Sequence, residues 1–215
     1  MPAISLRSRW FIRHEKVLAP ASVAFVVLVL GYAVGGLGYV VVNRLVGNGP
    51  FHHLWTQLDG AIPFVPLFVF AYVLVYVTPA FSAVLVRDRA ELYRTFLALA
   101  LNCAICFPVF LLYPVEMPRD DALPATLAGR LLALVHFLDR PVNCFPSHHV
   151  ATAVTTFLAI RRQNAVWGLL FGLIAALIAI STVLVKQHYV VDVAAGIAVA
   201  AFTYVLSFPR EYPRS

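Results

Sequence analysis

Ala165–Val185 reads AVWGLLFGLIAALIAISTVLV, without one charged residue, and stops at Lys186-Gln187-His188-Tyr189-Val190-Val191-Asp192. A run of that length and character is long enough to carry a helix across the ~30 Å hydrocarbon layer of a bilayer. Working outward, similar runs occupy Leu18–Val42, Ala61–Val86 and Thr95–Val115. A further span begins near Ser147 and ends at Arg161-Arg162, and the last runs from Gln187 to Phe208. The chain is 61% hydrophobic and 12% charged, which is too apolar for a water-soluble globule. The expected fold is therefore all-α, a polytopic membrane protein in which residues 1–215 form one domain of six transmembrane helices. The sixth run carries Ala194, Ala195, Gly196, Ala198, Ala200 and Ala201, small residues that let helices approach closely.

The segments between the runs are informative. Met1 to Lys16 carries Arg7, Arg9, Arg13 and Lys16, but the apolar run behind it is too long for a signal peptide, so a retained first span is expected. Residues 43–60 form a polar, aromatic link with Asn43, Arg44, His52, His53, Trp55 and Asp59; His52 and His53 read as surface histidines rather than ligands. Residues 87–94 form a charged connector, and Pro108 and Pro114 break the end of the third span. Before span four, Leu127, Leu131, Leu134 and Leu138 recur at helical spacing beside Arg130 and His136, as in an amphipathic helix lying at the membrane surface. The net charge of +6 is scattered at the ends of apolar runs rather than gathered in a patch, which fits membrane topology and argues against nucleic-acid binding. Three cysteines give no disulfide framework, and Cys103 and Cys106 lie inside an apolar run with too few neighbouring ligands for zinc.

Successive spans alternate direction. The end of span three, the start of span four, the end of span five and the start of span six therefore share one side. Arg119, the Pro146–His149 turn, Lys186 and His188 converge there. Eleven basic residues lie on the other side, against five (Arg44, Arg119, Arg130, Arg140 and Lys186) on this one, and the positive-inside rule then makes the convergent side the outer one.

Ionisable groups at the ends of membrane helices are costly and point to function. His188 and Asp192 are four residues apart on one helix face, so the carboxylate accepts from one imidazole nitrogen and leaves the other as nucleophile or base. Pro146-Ser147 ahead of an apolar run reads as a helix start with Ser147 as N-cap; the free N–H groups and helix dipole form a phosphate cradle. His149 in the first turn points into the same space, and its neighbour His148 must diverge from it. Arg119 and Lys186 supply positive charge for phosphate oxygens.

Pro146-Ser147-His148-His149 resembles the P-S-G-H motif of the type-2 phosphatidic acid phosphatase superfamily, with His148 in the glycine position. Ser181, His188 and Asp192 resemble its S-R-x5-H-x3-D motif, with Thr182 in the arginine position and Lys186 as a substitute charge. The first motif, K-x6-R-P, is matched only at Arg119, with Leu112 in the lysine position and Asp120 in the proline position; the other alignment, on Arg140-Pro141, puts Ala133 there. Asn143-Cys144-Phe145-Pro146-Ser147-x-His149 together with Lys186-Gln187-His188-Tyr189 is similar to the branch holding inositol phosphorylceramide and sphingomyelin synthases.

The resemblance implies six helices, an outer active site and a lipid phosphatase acting on a phosphomonoester or diphosphate. His188 would attack phosphorus to give a phosphohistidine, Asp192 would orient His188, and His149 would protonate the leaving alkoxide. Arg119, Ser147 and Lys186 would bind the phosphate. No metal and no cofactor is expected, since a metal-dependent phosphatase would show a carboxylate cluster. The alternatives are a lipid phosphotransferase using a lipid alcohol, and a non-enzymatic transporter, which clustering of the polar groups at one face disfavours. The expected partners are the lipid phosphate substrate and membrane lipids.

Overall fold

The computed structural model describes residues 17–119 and 122–208, and over these the chain is all-helical. The first span, α1, is Ala21–Leu45, with a π-helical turn at Ala33–Leu37. A short helix α2, Gln57–Ala61, precedes α3, Pro66–Leu85. Then follow α4 (Arg89–Leu112), α5 (Leu127–Leu138), α6 (His148–Gln163), α7 (Ala165–Leu184) and α8 (Val190–Ser207). Of these, α1, α3, α4, α7 and α8 are long and apolar enough to cross a membrane.

The fourth expected span, α6, is only 16 residues long, and its position explains why. It lies inside the bundle, packed against α3, α4, α7 and α8. Val150, Ala151, Ala153, Ala159 and Ile160 are buried there together with Thr152, Thr155 and Thr156. A helix enclosed by protein needs no continuous lipid-facing stripe, so small polar residues replace apolar ones. Asn102 of α4 donates to Thr155 Oγ1 (2.9 Å) and accepts from Thr203 Oγ1 of α8 (2.7 Å), a bond chain that joins three helices.

Several boundaries differ from the sequence reading. The charged connector is mostly helix: Asp88 accepts from the Glu91 N–H (2.9 Å) as an N-cap, so α4 starts at Arg89 rather than Thr95. The polar link holds a helix of its own, because Thr56 and Asp59 form a capping box that starts α2, and the second span opens at Pro66 rather than Ala61. The last span starts at Val190, since residues 186–189 make the turn that follows α7.

The two ends of the bundle are distinct. At one, Ala19 N–H donates to Arg87 O and Arg89 N–H to Val17 O (both 2.8 Å), while Glu91 takes Arg94 (2.8 Å) and Arg162 (2.7 Å). Arg7, Arg9, Arg13, Lys16, Arg210 and Arg214, and also Asp120, lie outside the described residues. At the other end, residues near His52, Val115 and Asn143 form a bridged layer: Glu116 N–H donates to His52 O (2.9 Å) and Cys144 N–H to Val115 O (3.2 Å). Helix α5 lies beside this layer. Its Ala128, Leu132 and Val135 pack on Val69, Tyr72 and Val185, while Leu127, Leu134 and Leu138 face outward, which suits an amphipathic helix.

Candidate active site

Ser147 organises the site. Its Oγ accepts from the Val150 N–H (3.3 Å), which caps α6, and its own N–H donates to Asp192 O (3.0 Å), which ties the start of α6 to the start of α8. Gly196, one turn further along α8, makes that approach possible: a Cβ there would lie 2.5 Å from Ser147 O and 3.1 Å from Val150 Cβ. Gly196→Ala should therefore displace the Ser147 turn, costing about 1–3 kcal/mol through overpacking. Thermal unfolding should show a lower Tm, and turnover should fall with it. An unchanged Tm with full turnover would show that the contact is not needed.

The two neighbouring histidines diverge as helical geometry requires. His149 turns inward, its Nδ1 3.4 Å from His188 Nε2, its ring against Tyr72 and Tyr76. His148 turns to the opposite side, with Nε2 3.4 Å from Cys103 Sγ and its ring parallel to that of Tyr39.

His188 is held at one ring nitrogen. Its Nδ1 lies 2.8 Å from Cys144 O and 3.4 Å from Asp192 Oδ2. A carbonyl only accepts, so Nδ1 carries the proton and Nε2 keeps a lone pair directed at His149. Asp192 Oδ2 also accepts the Tyr189 N–H (2.8 Å) in the first turn of α8, where the helix dipole favours negative charge. The carbonyl partner of His188 is absent from the sequence reading, because no side chain announces it.

Arg119 reaches the same region from the α4–α5 connection. Its Nη2 donates to Gln187 Oε1 and its Nη1 to Asp139 O (both 2.5 Å), and the Asp139 carboxylate lies 3.9 Å away. Gln187 Nε2 in turn lies 3.0 Å from His136 Nε2. Asp139 Oδ1 accepts from Tyr39 Oη (2.8 Å). Burial raises the Asp139 carboxyl above its ordinary range, against the Tyr39 bond and the Arg119 charge. Beside this network, Arg119 Nε and both side-chain polar atoms of Asn143 are buried without a hydrogen-bond partner. A buried donor left unmade costs free energy, and Arg119 lines a small hollow, so its Nε fits an anion subsite.

Arg140 is engaged elsewhere. Its guanidinium donates to Asn43 O (3.2 Å) and Val46 O (2.8 Å), closing the C-terminal end of α1. Lys186 sits at φ 53°, the left-handed residue of the turn ending α7, where its N–H bonds Val183 O and that of Gln187 bonds Thr182 O. Its Nζ donates to Asp59 O (2.9 Å) and Ile62 O (2.6 Å), and it lines a small hollow of about 140 Å³ with Arg119 and His136. Asp59, in turn, accepts the Val190 N–H (2.8 Å). Burial opposes charge on Asp59, but the bonds from Thr56 and Val190 and the Lys186 charge outweigh it and hold its carboxyl below the ordinary range.

Among the described residues one group has ligand atoms close enough for a metal ion: Cys144, His188 and Asp192, within 4.8 Å of one another. Burial pushes the Cys144 thiol up, and its Sγ lies 3.5 Å from Pro141 O and 3.6 Å from Gln187 O. A metal held there would need the Cys144 thiolate.

The helical bundle brings two imidazoles, a carboxylate and an arginine together at one end, a set of groups that fits phosphoryl transfer. The match to the PAP2 superfamily over residues 45–206 makes this specific: the chain belongs to that superfamily, whose members are phosphatases or phosphotransferases. No curated protein and no solved structure matches it.

Proposed function

We propose that this protein is a lipid phosphatase that removes phosphate from a lipid phosphomonoester or diphosphate through a phosphohistidine. The supporting observation is the pair itself: His188 Nε2, its opposite nitrogen held by Cys144 O and Asp192, faces His149 at 3.4 Å. His188 Nε2 attacks phosphorus; the P–O bond to the lipid breaks, and His149 gives a proton to the leaving alkoxide. Water, losing a proton to His149, then displaces His188 and releases phosphate. Arg119, with its unpartnered Nε, and the α6 N-terminus at Ser147 stabilise the charge on the phosphoryl oxygens. Lys186 acts at longer range, through its placement beside the Arg119 hollow.

One observation favours transfer to a lipid alcohol instead. His149 and His188 are both buried, and a cavity lined mainly by apolar residues reaches His149 from within the bundle. An acceptor arriving from the membrane would meet the phosphohistidine more readily than bulk water. The deciding experiment is release of inorganic phosphate by purified protein from a panel of lipid phosphates and diphosphates, with and without a lipid alcohol. Release without alcohol supports hydrolysis, and a new phospholipid with suppressed release supports transfer. Turnover of none of them would overturn the reading.

Activity should survive EDTA, since side chains supply the positive charge. Loss reversed by zinc or magnesium would make the histidines ligands and remove the covalent step. The charge asymmetry supports a site at the outer face of the cell membrane with both chain ends inside. A cysteine introduced at Ala125 should then react with an impermeant thiol reagent on intact cells, and one at Ser215 should not. The reverse pattern would place the chemistry in the cytoplasm.

A further inference from the structure

Tyr72 of α3 is fully buried, and the core it shares with Val69, Leu132, Val135 and Val185 is apolar. A phenylalanine would fill that core as well. Packing therefore gives no reason for the hydroxyl.

A buried tyrosine hydroxyl normally finds a hydrogen-bond partner. Tyr32, Tyr39 and Tyr189 donate to Tyr76 O (2.5 Å), Asp139 Oδ1 (2.8 Å) and Glu116 O (2.9 Å). Tyr72 Oη is buried without one. Tyr76, one turn further along α3, brings its hydroxyl into the same space, but the two do not meet in hydrogen-bond geometry. Thr156 and Ser207 also carry buried hydroxyls without partners. They stand about 10 Å from His149 along α6 and about 22 Å from Asp192 along α8, at ~1.5 Å per residue, and so lie away from the site.

Tyr72 lies against it. Its ring centroid is 4.7 Å from that of His149, the planes tilted by 31°. The charges of Asp139 and Arg119 both bear on its hydroxyl, so Oη is turned toward the end of the bundle where the histidines and Arg119 stand. Arg119 Nε is the other buried donor there without a partner. Two idle donors beside one imidazole pair call for a ligand with several acceptors. A phosphoryl group has three oxygens that accept and none that must donate.

We propose that Tyr72 is a ligand of the transferred group: Oη donates a hydrogen bond to a non-bridging phosphoryl oxygen while phosphorus passes from the lipid to His188. The hydroxyl makes and breaks no covalent bond. This rests on the phosphatase reading, because it takes the phosphoryl group between His149 and His188 as given. Helix α3 carries none of the motif residues, so the contact has no sign in the sequence.

The test uses Tyr72→Phe in the full-length protein, which keeps the ring on His149 and removes only the oxygen. Three quantities are read: Tm without ligand, kcat/KM on nitrophenyl phosphate and on a lipid phosphate, and the affinity for orthovanadate, which mimics five-coordinate phosphorus. A hydroxyl with no partner costs stability, so Tm should stay level or rise by up to about 2–4 °C. Both kcat/KM values should fall about 10²-fold and by the same factor, since the two substrates share the phosphoryl oxygens, and vanadate should bind at least about tenfold more weakly. A Tm below wild type, whatever the kinetics, would mean that Oη holds a partner within the protein, and would overturn the assignment; the same drop in Tyr76→Phe would identify that partner as the neighbouring hydroxyl. Activity or vanadate affinity within twofold of wild type would also overturn it. A loss on the lipid phosphate alone would put Oη on the departing oxygen and not on the phosphoryl group. These outcomes, in a background of active wild-type protein, leave the phosphatase reading standing. Wild-type protein that turns over neither substrate and binds no vanadate would remove that reading and this assignment together.

Discussion

His188→Ala protein should retain its fold and lose turnover by about 10⁵- to 10⁶-fold, the scale on which removal of a covalent nucleophile is felt. The alanine leaves no lone pair where Nε2 faces His149. Asp192→Asn should be much milder than the loss of about 10⁴ seen when a triad aspartate is neutralised. That loss arises largely because the imidazole adopts the wrong tautomer. Here Cys144 O, at 2.8 Å, is closer to His188 Nδ1 than Asp192 Oδ2, at 3.4 Å, and a carbonyl holds the Nδ1–H tautomer without help. What the asparagine removes is negative charge beside an imidazole that becomes positive as it bonds to phosphorus, an effect of about 10²-fold. Rates of phosphate release from a lipid phosphate decide both cases. Activity in His188→Ala would remove His188 as the nucleophile, and a 10⁴-fold loss in Asp192→Asn would mean that the carboxylate, not the carbonyl, sets the tautomer.

The legibility of this chain in its sequence follows from where the physics is local. An uncharged run such as Ala165–Val185 can do little but form a buried or membrane helix, and Ser147 ahead of an apolar stretch caps by a bond to its own helix. Positions set by contact with distant segments were harder to read. Asp59 reads as part of an interfacial link, yet its carboxylate receives the Val190 N–H more than a hundred residues away. Asp139, Gln187 and His136 surround Arg119 without any spacing that would pair them. Lys186 stands out as a charge at a helix end, but its left-handed backbone and its bonds to Asp59 O and Ile62 O are tertiary facts. The apolar cavity that reaches His149 leaves no trace in composition, because its wall and the lipid-facing surface are made of the same residues.

The two imidazoles are separated by the leaving group. A lipid alkoxide is a strong base and departs only as it gains a proton, whereas nitrophenolate leaves without one. His149→Ala should therefore lose about 10²- to 10⁴-fold on lipid phosphate, the usual contribution of a positioned acid, while His188 still takes phosphate from nitrophenyl phosphate. The second step of that reaction needs a base for water, which the variant lacks. The phosphohistidine should accumulate and appear as a burst of nitrophenol equal to the enzyme concentration, followed by slow turnover. Truncation also removes a ring packed against Tyr72 and Tyr76, so Tm should be followed beside the burst, and His149→Gln, which is closer in size, should repeat the result. His188→Ala should give no burst with either substrate. A burst in His188→Ala would exchange the two roles. Equal loss on both substrates in a folded His149→Gln that still binds phosphate would show that His149 acts on the phosphoryl group itself and not on the departing oxygen.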